Sequence, residues 1–526
     1  MLTRAESTGY RETSLHADVM RFVADLGALG DPRLHVSDFG RSPGGRELPL
    51  LILSRDGLRT PEEARCSGRP VVLMQDGIHP GEVEGKEASL ALVRDLLAGH
   101  HPDWLSEIVL LVVPLFNPDG NDALDPANRR LDLKKLYGQP GPVVGTRTQS
   151  QGINLNRDYL RQAAPEMRLL QSRVAIPWAA DLTIDNHATN GSVHRFHMTV
   201  DVPHTGESGR HEPIEFMRER LVPDVMAAVR RRGLDSGWYG NFVEDERILD
   251  ADGEVDPHAP VGLGWMTYPH HPRFGGNYRG LTGRLDLLLE CYSYLSFEQR
   301  VHTASAWQIE TLNWAAEHAA EIRSTVLAAA RPPGRVAVRY RLEPRAEPVE
   351  VLTYEPRALE GRPVALQLPH HARFVGTTVV ERPLAYLVPP ALAGLRDIGV
   401  EEGAGRLRLH DALVEALEQI AARTLDTLRG QHVAAHVEQP VDIEGGGHVG
   451  LDLGIHAGHW EAHGVARKLG VELHVGGRRR DLHVHAGGAD DGARADAACR
   501  RVTLRPAQAC APAGAGGSAV TFAVVV

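Results

Sequence analysis

Uninterrupted apolar runs alternate with amphipathic stretches along the first 330 residues of the chain. The apolar runs lie at 71–76, 107–115, 180–185 and 283–290. Apolar residues recur at helical spacing within 13–27, 84–98, 212–231 and 298–329. Continuous apolar strands between helices are typical of a sheet that is covered on both faces. The pattern therefore predicts an α/β domain over residues 1–330.

The pattern changes after the Pro-Pro-Gly at residues 332–334. Short strands with alternating apolar and polar residues follow, and they predict a small β-rich domain at 335–395. Residues 396–526 are rich in Gly, Ala, His and Arg and have weak periodicity. That region is either a poorly ordered extension or sequence translated in a shifted frame, and we assign no chemistry to it.

Composition narrows the class of protein. The chain has 526 residues, of which 42% are hydrophobic and 24% charged, as expected for a globular protein of two or three domains. Its formal net charge of −11 argues against nucleic acid as a partner.

The sequence also gives no indication of a signal peptide or a membrane-spanning segment. Charged residues such as Arg4 and Glu6 interrupt the place where a signal peptide would be apolar. No apolar run approaches the roughly 20 residues that span a bilayer. We expect a cytoplasmic protein with no membrane partner, and the sequence gives no indication of its oligomeric state.

A histidine and a glutamate three residues apart occur three times. The pairs are His79 with Glu82, His204 with Glu207, and His318 with Glu321. The last pair lies in a long helical pattern and is typical of a solvated helix face, and the middle pair lies in a turn-rich stretch. The first pair follows a buried strand and precedes a helix, where ligand sites form in open α/β sheets. On this pair alone, a simple turn with a helix-capping Glu82 is an equal alternative.

A third candidate ligand follows another apolar strand. The stretch DLTIDNH at 181–187 ends on Asp185 and His187. Two histidines and one glutamate would leave a fourth position open, which is the arrangement of catalytic zinc sites. Asp185 either orients a ligand histidine or is an ordinary strand-end aspartate. His194 and His197 are competing ligands that rank lower, because no strand ends on them.

Glu290 ends a run of leucines in RLDLLLECYSY. A carboxylate in such a strand is costly to bury without a partner, and its pKa is often raised into the range that suits proton transfer. The alternative is a structural ion pair with a nearby arginine. The candidates for that pair are Arg279, Arg284 and Arg300.

Five short motifs together carry a family resemblance. They are HPGE at 79–82, NPDG at 117–120, NLNRDY at 154–159, DNH at 185–187 and LLLECYSY at 288–294. In this order and spacing, residues 10–325 resemble the zinc metallocarboxypeptidases, most closely the bacterial branch of the carboxypeptidase A-like superfamily. The resemblance implies a catalytic domain at 1–330 with a mixed central β-sheet flanked by helices.

The resemblance also implies a reaction. His79, Glu82 and His187 would bind one Zn²⁺ per chain, and Glu290 would match the general base that activates a zinc-bound water. The substrate would be a peptide or small amide with a free carboxylate. Alternatives are a zinc-dependent deacylase or amidase acting on N-acyl amino acids or cell-wall peptides, and a non-catalytic binding protein on a peptidase scaffold.

Further roles follow from the resemblance, some of them with two candidates. Asn156 and Arg157 would hold the terminal carboxylate of the substrate, since a guanidinium gives bidentate recognition. A catalytic arginine that stabilises the oxyanion would be Arg129 or, with a poorer alignment, Arg130. The substrate-covering tyrosine would be Tyr268 or Tyr278.

Two features depart from the digestive members of the family. Gly81 stands between the first two ligands, where those enzymes have an arginine, so their peptide preferences are a poor guide. The chain also looks longer between His187 and Glu290, and 201–265 would form an insertion at the mouth of the cleft.

Overall fold

A computed structural model describes residues 1–135, 137–189, 191–243 and 264–382, together with the backbone of four strands between 435 and 485. The helices are α1 (Arg4–Ser7), α2 (His16–Ala28), α3 (Pro61–Ser67), α4 (Glu84–Leu97), α5 (Pro118–Asp122), α6 (Pro165–Leu169), α7 (Ile176–Trp178), α8 (His211–Phe216), α9 (Val222–Arg231), α10 (Gly275–Leu281), α11 (Phe297–Glu317) and α12 (Ala319–Ala328). Short 3₁₀ turns cover Trp104–Ser106 and Leu155–Arg157, and π-helical turns cover Leu170–Ala175 and Met217–Leu221. None of the described helices is both long and apolar enough to cross a bilayer.

The strands of the described chain are arranged in one large and three small sheets. They are β1 (Leu34–Arg41), β2 (Glu47–Leu53), β3 (Val71–Gln75), β4 (Val109–Val113), β5 (Leu182–Ala188), β6 (Met198–Asp201), β7 (Ser236–Trp238), β8 (Asn241–Phe242), β9 (Trp265–Met266), β10 (Leu285–Cys291), β11 (Arg335–Pro344), β12 (Val349–Glu355), β13 (Arg362–Leu368), β14 (His370–Glu381), β15 (Ala435–Ile443), β16 (Gly447–His456), β17 (Lys468–Val475) and β18 (Arg478–His485).

The large sheet has eight strands in the order β1-β2-β4-β3-β5-β10-β6-β7. Its central strands β4, β3, β5 and β10 are parallel, while β1, β2 and β6 pair antiparallel with their neighbours. Helices cover both faces. The predicted fold class, a mixed sheet flanked by helices, is confirmed.

The apolar runs are buried on both sides of this sheet, as their pattern predicts. In β3, Val72 and Met74 pack into a core with α2, α4, α9 and α11, whereas Val71 and Leu73 pack into a second core on the opposite face. All four side chains are at most 4% exposed. Full burial of such a side chain is worth about 1.5–3 kcal/mol, so the two cores hold the central strands in a fixed register.

The parallel strands place their carboxyl ends at one edge of the sheet. β3 ends at Gln75, next to β5 and β4, and β10 pairs with β5 so that Glu290 lies opposite His187. The loop after β3, the end of β5 and the end of β10 therefore meet at this edge, where ligand sites form in open α/β sheets.

The β-rich stretch after residue 334 forms two small sheets. β11 pairs with β14, and β14 continues through β9 to β8, while β12 and β13 form a hairpin. Backbone contacts group residues 1–382 into one compact unit. The strands β15 to β18 form an antiparallel sheet of their own.

The proposed division of the chain into domains remains a prediction. Residues 383–395 of the β-rich stretch and most of 396–526 lie outside the described residues, as do residues 244–263 of the insertion expected at 201–265.

Candidate metal centre and active site

The loop between β3 and α4 buries both side chains of the first histidine-glutamate pair. Gly77 has φ of +68°, a conformation that glycine adopts without steric cost, and it turns the chain away from β3. The Glu82 amide donates to the His79 carbonyl at 2.9 Å and closes the bend that Pro80 begins. As a result His79 and Glu82 are only 3% and 4% exposed.

His187 meets this pair from the end of β5. Its Nδ1 lies 2.8 Å from Glu82 Oε2, and His79 Nδ1 lies 3.3 Å from the same oxygen. Ligand atoms of the three residues lie within 4.8 Å of one another, and no other group of three such side chains occurs in the described part of the chain. Two imidazole nitrogens and one carboxylate oxygen are the donor set of open zinc sites, so the residues fit this ion.

The outer nitrogens of the two histidines have different partners. His187 Nε2 lies 3.4 Å from Asp185 Oδ1, and the other oxygen of Asp185 accepts from Arg279 Nη2 at 2.8 Å. His79 Nε2 instead lies 3.0 Å from the amide oxygen of Asn154. A carboxylate thus orients one candidate ligand and a neutral amide orients the other.

The charges in this cluster shift one another's pKa. Burial lowers the pKa of His79 to about 4. Burial acts in the same sense on His187, but the adjacent carboxylates of Asp185 and Glu82 outweigh it and raise the His187 pKa. Burial would raise the pKa of Glu82, yet the two histidines hold it well below its ordinary value. Glu82 is therefore a carboxylate at neutral pH, as a metal ligand must be.

Two arginines bind the second oxygen of Glu82. Arg129 and Arg147 donate to Oε1 at 3.0 and 2.9 Å, which leaves Oε2 facing the histidines. Arg130, the alternative to Arg129 in the sequence, is exposed, and its side chain has no hydrogen bond among the described residues. The structure thus brings Arg129 into the site and leaves Arg130 outside it. Arg147 was missed by the sequence reasoning, because it lies in no motif.

Gly81 provides the space that Arg129 occupies. A Cβ atom at Gly81 would lie 2.6 Å from Arg129 Cδ and 3.1 Å from Arg129 Cγ, closer than real contacts allow. Arg129 itself has φ of +47°, which turns its side chain back across the loop. An arginine from another loop therefore lies over the glycine between the first two candidate ligands.

Glu290 lies opposite His187 across the β5–β10 pair and is partly exposed. Its carboxylate has no hydrogen bond or ion pair within the described ranges. The alternative that Glu290 forms a structural ion pair is wrong, because the three candidate arginines bind other acids. Arg279 pairs with Asp185 and Asp286, Arg284 with Asp181, and Arg300 with Glu84. Burial raises the pKa of Glu290 to about 7.

Asn156 and Arg157 lie beside the metal cluster. The Asn156 amide nitrogen is 3.3 Å from His187 Nε2, and its oxygen accepts from the Gly275 amide at 3.0 Å. The Arg157 guanidinium lies over the ring of Phe274, with Cζ 4.1 Å from the centroid, and its only hydrogen bond in the described chain goes to the Asn156 carbonyl at 2.7 Å. Burial and nearby like charges lower the Arg157 pKa to about 10. The Arg157 guanidinium therefore has no anionic partner bonded to it among the described residues.

The two predicted substrate-covering tyrosines lie in different surroundings. Tyr268 packs against His204 at 4.6 Å, and its hydroxyl donates to the Val202 carbonyl at 3.3 Å. Tyr278 packs beside Tyr159 at 5.9 Å, next to the core on the second face of the sheet.

Tyr239 is close enough to Glu290 for the two groups to interact electrostatically. It follows β7, and the register β10-β6-β7 puts Glu290, Thr199 and Gly237 in one row, so Tyr239 shares their face of the sheet. Burial and the negative charge of Glu290 both raise its pKa. The sequence holds no signal for Tyr239, because its position depends on strand pairing between distant segments.

The two competing histidines lie outside the metal cluster. His194 stacks on Tyr292 at 4.2 Å, and burial lowers its pKa to about 3. His197 Nδ1 accepts from the Asp235 amide at 3.1 Å. Neither ring joins the group of His79, Glu82 and His187.

Comparison with known proteins adds an independent observation. Residues 20–174 match the family model described as zinc carboxypeptidase. This segment of the chain is therefore similar to the zinc carboxypeptidases. The match contains His79, Glu82, Asn156 and Arg157, whereas His187 and Glu290 lie beyond it.

Curated proteins similar to the chain include two named carboxypeptidase 2. The chain is 34% identical over 132 residues to carboxypeptidase 2 of Trichophyton tonsurans, which covers 21% of this chain and 24% of that protein. It is 28% identical over the same length to carboxypeptidase 2 of Trichophyton equinum, with the same coverage. The chain thus spans about a quarter of the length of these relatives.

Solved structures of two bacterial proteins are similar to the chain at low identity. A metallo-carboxypeptidase from Pseudomonas aeruginosa is 19% identical, with 60% of this chain and 71% of that chain covered and a TM-score of 0.38. A metallo-carboxypeptidase from Burkholderia cenocepacia is also 19% identical, with 57% of this chain and 68% of that chain covered and a TM-score of 0.37.

Proposed function

We propose that this chain is a zinc-dependent metallocarboxypeptidase, which hydrolyses the amide bond next to a free C-terminal carboxylate. The observation that carries the proposal is the convergence of His79, Glu82 and His187 beside Glu290, whose carboxylate has no ion pair in the described part of the chain. The similarity of residues 20–174 to the zinc carboxypeptidase family model supports the same reaction.

One Zn²⁺ would be held by His79, Glu82 and His187. When bound, such an ion polarises a substrate carbonyl and lowers the pKa of water. The role of the chain is to orient the three donors and to keep Glu82 ionised. Asp185 and Asn154 hold the outer nitrogens of the histidines, and the histidines keep Glu82 ionised.

Glu290 would act as the general base. Its carboxylate has no hydrogen-bond or ion-pair partner among the described residues, and a pKa of about 7 lets it accept a proton from the attacking water at neutral pH. The same group would return that proton to the leaving amine nitrogen. Arg129, which lies beside Glu82, would stabilise the negative charge that develops on the carbonyl oxygen.

Arg157 would determine where the chain is cut. Its guanidinium lies beside the metal cluster and lacks an acidic partner in the described chain, so a substrate carboxylate would relieve the cost of its burial. Asn156 bridges Arg157 and His187 and would present its amide nitrogen to the same carboxylate.

The test is hydrolysis of a peptide by the zinc-loaded protein, followed by mass spectrometry. We expect stepwise loss of C-terminal residues from a peptide with a free C-terminus and no loss from the same peptide with a C-terminal amide. Release of an acyl group from N-acyl amino acids, with peptides left intact, would instead identify a deacylase. Stable zinc binding without hydrolysis of either substrate class would support a binding protein and contradict the proposal.

A further inference from the structure

Two guanidinium groups lie over one aromatic ring at the rim of the site. Arg157 Cζ is 4.1 Å and Arg273 Cζ is 5.2 Å from the ring centroid of Phe274. The two charges are therefore separated by roughly 9 Å at most, since both distances end at the same centroid. Arg157 is partly buried and Arg273 is exposed. In the described chain neither forms an ion pair.

The surrounding residues increase this positive charge. Arg147 and Arg273 are close enough to Arg157 for their like charges, together with burial, to lower its pKa. The carboxylate of Glu82, which also acts on the Arg157 charge, is already bonded to Arg129 and Arg147. The chain as a whole has a net charge of −11, so this concentration of arginines is not a consequence of composition.

A single substrate carboxylate would neutralise only one of these groups. Arg157 would bind the terminal carboxylate in the proposed reaction, which leaves Arg273 beside it with no anion. A guanidinium that lies over an aromatic ring can still donate in its own plane to a planar carboxylate. The two carboxylates of one aspartate or glutamate are close enough to reach both guanidiniums.

We propose that the preferred substrates end in an acidic residue, aspartate or glutamate, whose side-chain carboxylate binds Arg273 while the terminal carboxylate binds Arg157. This inference rests on the proposed carboxypeptidase function and adds the chemical class of the residue that is released. It also gives a reason for Phe274, whose ring holds the two guanidiniums apart and in place.

The test compares N-acyl dipeptides that differ only in the C-terminal residue, which is Glu, Gln, Leu or Lys. At low salt we expect kcat/KM for Glu to exceed that for the isosteric Gln at least about tenfold, because the Arg273 charge pair forms only with Glu. Arg273→Ala should bring the Glu-to-Gln ratio close to unity, and Arg273→Lys should retain part of it. Arg273→Glu should reverse the preference in favour of Lys.

Arg173→Ala is the matched control, because Arg173 is an exposed arginine on the Leu170–Ala175 turn with no ion pair among the described residues. It should leave the ratio unchanged. Equal rates for Glu and Gln in the wild type, or a ratio that survives Arg273→Ala, would overturn the inference while the carboxypeptidase function stands.

Binding separates the two proposals if no dipeptide is cleaved. Calorimetry with glutarate and butyrate compares a dicarboxylate with a monocarboxylate of similar size. We expect tighter binding of glutarate to the wild type, and loss of this difference in Arg273→Ala. Equal binding of the two acids would contradict the acidic subsite whatever the activity, and the difference should shrink as salt rises because Arg273 is exposed.

Discussion

The loops at 79–82 and 204–207 contain the same spacing of histidine and glutamate, yet they build different structures. In the first, His79 and Glu82 converge on His187 from a neighbouring parallel strand. In the second, the His204 ring lies 3.4 Å from Asp201 and 2.9 Å from the Thr267 hydroxyl, whereas Glu207 Oε1 lies 4.0 Å from His211 Nε2. The spacing of histidine and glutamate therefore does not by itself specify a metal site. The position of the first pair at the carboxyl edge of the parallel strands distinguishes it from the second.

The largest expected effect tests whether only the first loop holds a metal. Glu82→Ala should lower zinc binding and reduce peptide hydrolysis by about a thousandfold or more, because the ion loses its anionic ligand. Glu207→Ala, its counterpart in the second loop, should change neither. Zinc content by mass spectrometry and kcat/KM measure both. Equal effects of the two substitutions would end the distinction between the loops.

A second substitution distinguishes the role of the general base from that of the metal ligands. Glu290→Gln should lower kcat by roughly 100- to 10,000-fold while zinc content stays at the wild-type level, because the amide cannot accept the proton. Near-native turnover with zinc bound would remove Glu290 from its proposed role.

The difference between the carboxylate and amide partners of the two histidines predicts a smaller effect. Asp185→Asn should weaken zinc affinity by roughly 10- to 100-fold, because His187 loses the carboxylate that orients it. Asn154→Ala should have a weaker effect, since the amide it removes is neutral. Competition with a chelator gives both affinities, and a larger effect for Asn154→Ala would show that the neutral contact matters more.

Substitutions in the cluster around His204 should change the free energy of unfolding rather than metal binding. Burial would raise the pKa of Asp201, but the positive charges of His204 and Arg218 outweigh it and lower the pKa from 3.8 to about 2. A carboxyl whose folded pKa is depressed stabilises the fold above pH 4, and this contribution of about 2 kcal/mol is lost as pH falls through 2.

Asp201→Asn should therefore lower the free energy of unfolding at pH 7 and have little effect near pH 2, with zinc affinity unchanged at neutral pH. Urea unfolding at the two pH values measures this. A constant difference between the variant and the wild type across the pH range would contradict the ionic role of Asp201.

The third pair, on the helices α11 and α12, should have the smallest effect. His318 stacks on Trp314, and Glu321 forms a half-exposed ion pair with Arg220 at 3.4 Å. Glu321→Ala should change stability by no more than about 0.5 kcal/mol and leave zinc binding intact. A larger loss in thermal unfolding would show that this surface pair does more than its exposure indicates.

The large sheet was predictable because its signals are local. The apolar runs at 71–76 and 283–290 correspond to β3 and β10, and the helical spacing at 84–98 corresponds to α4. The positions of His187 and Glu290 at strand ends were predictable for the same reason, because an imidazole or a carboxylate after an apolar run is unusual in sequence. Their roles as ligand and base remain predictions.

The remaining site residues depend on geometry that a linear pattern does not contain. Arg129 turns inward and Arg130 outward because of a left-handed backbone at residue 129 and the open space at Gly81. Tyr239 shares a face with Glu290 only through the pairing of three strands. Arg147 and Arg273 lie in irregular segments, and nothing in their sequence neighbours marks them.

The most direct test of the account is an anomalous difference map at the zinc absorption edge from crystals of the zinc-loaded protein. The account predicts a peak bounded by His79, Glu82 and His187, and no peak beside His204 and Asp201. An empty first site, or a zinc ion held by the second cluster instead, would contradict it.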